Sequence, residues 1–138
     1  MAIIIDANLL VALVSGDTRG DKVLKHFMNW IDNNIELHSP SLAKYEIANA
    51  LTRLIVANAF PKDKLAEALN NISLIPITYH LEIDSLSVIY IALKLGRQNA
   101  YDASYLALSE ELNSELWTID GSLYRNAIGH GFNIKLIS

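Results

Sequence analysis

Short apolar runs, each too brief to be a helix, alternate along this chain with longer stretches of helical period. That alternation constrains the fold more than any other feature. Residues 2–5 are a β-branched run that reads as a buried strand, and residues 8–15 read as a helix broken by Ser15-Gly16-Asp17. Val23, Leu24, Phe27, Met28 and Ile31 set a helical period over 20–33. Ile35-Glu36-Leu37 is a second strand, and Ser39-Pro40-Ser41 offers cap and first-turn chemistry for a helix over 41–59. Pro61 opens a helix to about Asn70, and residues 72–77 suggest a third strand weakened by Pro76. A helix over 80–95 stops at Gly96, another spans 100–112, and Leu116 to Ile119 form a fourth strand. A short helix over 121–128 and a strand over 134–137 complete the series. Strands alternating with helices imply an α/β fold: a mostly parallel sheet covered by helices on both faces, with ligands received outside the carboxyl ends of the strands.

No repeat, linker or low-complexity segment appears, so residues 1–138 read as one domain. At 51% apolar and 19% charged, the chain is balanced like a compact globular protein and unlike a disordered one. It has no cysteine, which excludes disulfides and thiolate metal sites, and its four histidines lack the spacing of a zinc site. The amino terminus does not read as a signal peptide, and no apolar run approaches the ~20 residues of a membrane span. A cytoplasmic location without membrane contact is the expectation. The net charge of −4 argues against a broad basic surface, although carboxylates gathered around cations also count as negative in such a sum.

Within that frame, Asp6 stands out, because it separates Ile3-Ile4-Ile5 from Leu9-Leu10-Val11 without a loop. A carboxylate between two buried stretches must be capped, paired, exposed at an edge, or bound to a cation. Asp120 likewise follows its strand directly, so both acids belong to the carboxyl edge of the sheet. Glu46, in Tyr45-Glu46-Ile47-Ala48-Asn49-Ala50-Leu51, and Asp102, in Tyr101-Asp102-Ala103-Ser104-Tyr105, lie near the starts of helices that begin on that edge. Each has a structural alternative. Asp6 reads equally as an N-cap, Glu46 as part of a solvated stripe with Asn49 and Arg53, Asp102 as a capping-box partner of Asn99, and Asp120 as the start of an Asp-Gly turn. Four acids at one edge of one sheet are more economically a single site. Oxygen-only ligation suits Mg²⁺ or Mn²⁺, and such a cluster supports hydrolysis of a phosphodiester by a metal-activated water. Asn8 and Thr118 sit beside Asp6 and Asp120, either as polar supports for the carboxylates or as simple caps.

These segments, with Thr118-Ile119-Asp120, resemble the PIN domain family, and within it the VapC-type ribonuclease toxins of toxin–antitoxin pairs. The resemblance covers nearly the whole chain. It implies a PIN-like fold with a central five-stranded parallel sheet, Mg²⁺- or Mn²⁺-dependent endoribonuclease activity, homodimers, and an antitoxin partner. It also implies that Asp6, Glu46, Asp102 and Asp120 form the acidic quartet that holds metal, supported by Asn8 and Thr118. Two other readings stand beside it. A non-catalytic PIN-like module binding RNA or protein would be marked by loss of an acid, and none is lost. A receiver or phosphotransfer domain would want a second Asp where this chain has Asn8. Arg97, Lys94 and Arg125 flank the acidic segments and are candidates for phosphate contacts as well as for ordinary surface charge. Arg19, Lys22 and Lys25 read as a solvated helix face. His38 follows a strand at the presumed site edge and reads as packed or solvated. Tyr45, Phe60, Trp30, Tyr90, Tyr101, Tyr105 and Tyr124 include candidates for partner surfaces, with core packing the better reading of each.

Overall fold

Three consecutive isoleucines decide where the sheet begins. In an extended strand they point alternately to opposite faces, and Ile3, Ile4 and Ile5 are all buried, so β1 (Ala2–Ile5) is covered on both sides. The computed structural model describes residues 1–97 and 100–138. Beyond β1 it contains α1 (Ala7–Val14), α2 (Gly20–Asp32), β2 (Glu36–Pro40), α3 (Leu42–Val56), α4 (Leu65–Ser73), β3 (Ile77–His80), α5 (Ser85–Leu95), α6 (Tyr101–Glu111), β4 (Glu115–Thr118), α7 (Gly121–Gly129) and β5 (Ile134–Leu136). A single 3₁₀ turn, Lys62–Lys64, precedes α4.

The five strands form one sheet in the order β3-β2-β1-β4-β5, every pair parallel. The chain leaves β1 toward β2 and β3, then returns to build β4 and β5 on its other side. Right-handed crossovers therefore place α1 to α4 on one face and α5 to α7 on the other. The same reversal makes the gap between the carboxyl ends of β1 and β4 the topological switch point, where a parallel sheet opens a crevice. On the α2 side, Trp30 stacks edge-on against Trp117 of β4 with ring centroids 5.3 Å apart.

Helix α6 is the core element of the opposite face. Ala103 to Ser109 are buried without interruption, as expected of a helix surrounded by protein. It packs against β1, β2, β4 and α5. Leu106 is completely buried there, and Leu106→Ala is expected to lower the unfolding free energy by about 3 kcal/mol through lost contacts and a residual cavity. A urea midpoint shifted downward at unchanged slope is the measurement that checks it.

The structure corrects three boundaries read from the sequence. The third strand is Ile77–His80, not 72–77, because α4 runs on through Ser73 and buries Ile72 beside Ala68 on its inner face. Pro76, which cannot donate to a ladder, sits just before pairing begins. Ser39 and Pro40 belong to β2 rather than to a helix cap, and Ser41 at the α3 N-cap makes no side-chain capping bond. The helix expected from residue 80 starts at Ser85, where Asp84 caps it by accepting from the Ser87 N–H at 3.3 Å. The suggested capping role of Asn99 lies outside the described residues; the N-cap position of α6 is Ala100. Among the described residues no helix is long and apolar enough to cross a membrane.

Candidate active site

Because α1 begins one residue after β1 ends, Asp6 has to serve both elements. Its backbone N–H reaches the Trp117 carbonyl at 3.4 Å, extending the β1–β4 ladder, while its Oδ1 accepts from the Leu9 N–H at 3.1 Å and caps α1. The capping alternative is thus correct as far as it goes, and it occupies one oxygen. The other, Oδ2, accepts from the Thr118 hydroxyl at 2.5 Å, in a buried contact between residues 112 apart in sequence. Thr118 Oγ1 in turn accepts from the Asp120 N–H at 3.0 Å, and Asp120 Oδ1 accepts from the Leu123 N–H at 3.1 Å to cap α7. One threonine at the end of β4 therefore joins both strand-end acids.

The other two acids come from helices on opposite faces of the sheet. Glu46, on α3, is half-buried, and its Oε1 accepts from the Tyr105 hydroxyl of α6 at 2.5 Å. Asp102, in the first turn of α6, lies 4.0 Å from the Arg97 guanidinium, measured from Oδ2 to Nε. Arg97 Nε is buried and donates no hydrogen bond among the described residues.

Electrostatics tie the four together. Burial pushes the Asp6 carboxyl up to about 7, and the negative charges of Glu46 and Asp120 push in the same direction against its hydrogen bonds from Thr118 and Leu9. Glu46 is raised by burial and by Asp102, with the Tyr105 hydrogen bond and Arg53 opposing. Asp102 is raised by burial and by Asp120, with Arg97 opposing. Asp6 thus feels Glu46 and Asp120, Glu46 feels Asp102, and Asp102 feels Asp120. The structure does not bring three of them within ligating reach of a single point as the side chains stand among the described residues.

The supporting residues divide. Asn8 is exposed on the first turn of α1 and lines a shallow cleft of about 420 Å³ with Asp17, Arg19, Ile119, Asp120 and Gly121. Arg125 is exposed on α7, and its guanidinium lies over Gly121, where a Cβ would meet Nη1 at 2.9 Å. Arg19, expected on a solvated helix face, instead reaches the site edge. Its Nη1 donates to the Ile119 carbonyl at 3.1 Å, while Nε and Nη2 each donate to Asp17 at 3.1 Å. Tyr105 was read as core packing and is buried, but its hydroxyl holds Glu46. Nothing local marks either role, since both depend on partners distant in sequence. His38 pairs with His80 across the sheet at 2.8 Å and with Glu36 at 3.0 Å, on the lateral side of β2 away from β4. Of the aromatic candidates, Trp30 and Phe60 are buried, whereas Tyr45, Tyr90 and Tyr101 are exposed.

The donor set suits a hard divalent cation. It is made only of carboxylate, hydroxyl and amide oxygen, and its most buried member resists ionisation unless positive charge is supplied. Glu46 Oε2, Asp120 Oδ2 and both oxygens of Asp102 accept no hydrogen bond among the described residues, so three acids keep an oxygen for such a role.

The profile of the family described as the PIN domain matches residues 3–129, a span that contains all four acids. The chain belongs to the PIN domain family. Among relatives of this PIN domain, Ribonuclease VapC3 of Pyrobaculum aerophilum is 28% identical over 129 residues, covering 89% of this chain and 92% of the relative. The crystal structure of PAE2754 from Pyrobaculum aerophilum, also 28% identical, superposes with a TM-score of 0.60 over 91% of this chain and 87% of that one. VapBC2 from Rickettsia felis, solved bound to a DNA fragment from their promoter, is 12% identical with a TM-score of 0.68 over 99% of this chain and 98% of that one. At that identity the second structure speaks for the PIN fold alone.

Proposed function

We propose that this PIN domain is the ribonuclease toxin of a toxin–antitoxin pair, cutting RNA phosphodiester bonds with the help of Mg²⁺ or Mn²⁺ held by Asp6, Glu46, Asp102 and Asp120. The observation that carries the reading is the hydrogen-bonded set at the switch point of a PIN sheet, where Thr118 joins Asp6 to the Asp120 backbone and Tyr105 holds Glu46, with a related ribonuclease matching over nearly the full length of both chains. A divalent cation held by these acids would polarise the phosphodiester and lower the pKa of a bound water. The protein's own groups prepare the place. Thr118 orients Asp6 and steadies the Asp120 backbone, and Tyr105 holds Glu46. Arg97 beside Asp102 and Arg125 over Gly121 are cations available for contacting backbone phosphates. Asn8, at the rim of the cleft beside Asp120, orients water or a carboxylate.

The antitoxin and a second copy of the chain are the protein partners of this reading. Two exposed apolar stripes are available to them: Leu24, Met28 and Ile31 on α2, and Leu86, Ile89, Tyr90 and Leu93 on α5. The working compartment is the cytoplasm.

The direct test incubates the purified chain with a mixture of tRNA, rRNA and mRNA. Cleavage is expected with Mn²⁺, is expected to stop with EDTA, and should return when Mn²⁺ is added in excess. Binding of RNA without turnover, together with no heat of Mn²⁺ uptake, would establish a non-catalytic binding module instead.

A further inference from the structure

Tyr105 puts a hydroxyl inside the core beside an acid of the site. The residue is only 2% exposed, so its O–H must find a partner within the protein. It donates to Glu46 Oε1 at 2.5 Å, across a separation of 59 residues. Tyr105 thus reaches an acid on α3 from its own place on α6.

Glu46 needs such a hold. Its carboxylate ends a side chain with three torsions, and the opposing pull is on the same helix: Arg53 attracts Glu46 from α3 itself. A glutamate turned toward Arg53 would leave the space it shares with Asp6 and Asp102. A hydrogen bond that engages only Oε1 fixes the carboxylate plane and leaves Oε2 for a ligand.

We propose that Tyr105 is a positioning residue, whose buried hydroxyl donates to Glu46 so that the Glu46 carboxylate is held toward Asp6 and Asp102, ready for a divalent cation. This rests on the metal-dependent nuclease reading and extends it to a residue outside the acidic quartet. Tyr105 touches neither cation nor RNA; it acts through Glu46.

The test compares the full-length parent with Tyr105→Phe, Glu46→Gln, the double variant and Glu46→Asp, reading Mn²⁺ affinity by calorimetry alongside kcat and KM on RNA. Tyr105→Phe is expected to weaken Mn²⁺ binding and lower kcat by about 10–100-fold, the range for groups that support a metal ligand, with KM nearly unchanged. The double variant should be no worse than Glu46→Gln alone, because both substitutions remove one function. Glu46→Asp draws the carboxylate back by one methylene while leaving Tyr105 in the core, and should show the same loss; if Tyr105→Phe does not fold, parental Mn²⁺ affinity in Glu46→Asp is the result that overturns the role. Parental Mn²⁺ affinity and kcat in Tyr105→Phe or in Glu46→Asp, or losses that multiply in the double variant, would overturn the role. A parent that binds Mn²⁺ and cleaves RNA, with Asp6→Asn doing neither, upholds the nuclease reading whichever way Tyr105 falls. A parent that does neither overturns both.

Discussion

Asp6→Asn is expected to abolish RNA cleavage while making the metal-free protein more stable. The two effects have one cause. Asparagine keeps an oxygen for the Leu9 N–H, so the α1 cap survives, and its amide still faces the Thr118 hydroxyl. What disappears is a negative charge that the fold buries at 4% exposure beside Glu46 and Asp120. With its carboxyl pushed up to about 7 from an ordinary 3.8, ionising Asp6 in the folded chain at pH 8 is opposed by roughly 2–4 kcal/mol, a cost the amide does not carry. The loss of cleavage should exceed the roughly 100-fold upper range for outer residues that merely support a metal ligand. Cleavage rates and urea midpoints on the same preparations decide it. An Asp6→Asn protein that cuts at the parental rate removes Asp6 from the site, and one that is less stable at pH 8 contradicts the burial argument.

The second large effect is on the parent itself: in EDTA its stability should fall as pH rises from about 4 to about 7, then level off. The sign follows from which state holds the proton. In the unfolded chain Asp6 releases its proton near 3.8, whereas in the folded chain it keeps it until about 7. Between those values the native state binds more protons than the unfolded state, so each unit of rising pH favours unfolding. Glu46 and Asp102, also raised by burial, act in the same direction. Asp17, lowered by its hydrogen bonds from Arg19, acts oppositely, in the acid range below its ordinary value. Mn²⁺ should reverse the trend by binding the ionised cluster, adding about 2.7 kcal/mol at a hundred times its dissociation constant, and adding less at pH 5 where protons compete. Urea midpoints at pH 4.5, 6 and 7.5, with EDTA and with Mn²⁺, give the profile. Stability that climbs from pH 5 to 7.5 in EDTA would mean that the acids are already compensated within the fold.

Much of this protein is legible before it folds. The run of isoleucines, the helical periods, the Gly96 stop and the placement of Asp6 and Asp120 just beyond strands are local patterns, and local patterns survive into the structure because burial rewards the same periodicity that wrote them. The third strand was not legible, because Ile72, Leu74, Ile75 and Ile77 satisfy the end of a helix and the start of a strand equally well. The preceding apolar residue on the α4 face, Ala68, settles the matter only once α4 packs. Nor was the company each acid keeps. A sequence can say that Asp6 and Asp120 end strands; that their strands are adjacent, with Thr118 between them, is decided by the order β3-β2-β1-β4-β5. Glu46 meets Tyr105, and Arg19 meets the carbonyl of Ile119, only because crossover helices from distant parts of the chain descend onto one sheet edge. Side-chain type and spacing along the chain thus determined which groups were available and on which edge. Hydrogen bonds between residues 59 to 112 positions apart have no local signature, and only the closed tertiary structure decided which carboxylate is buried, which is held, and which charge is felt by which neighbour.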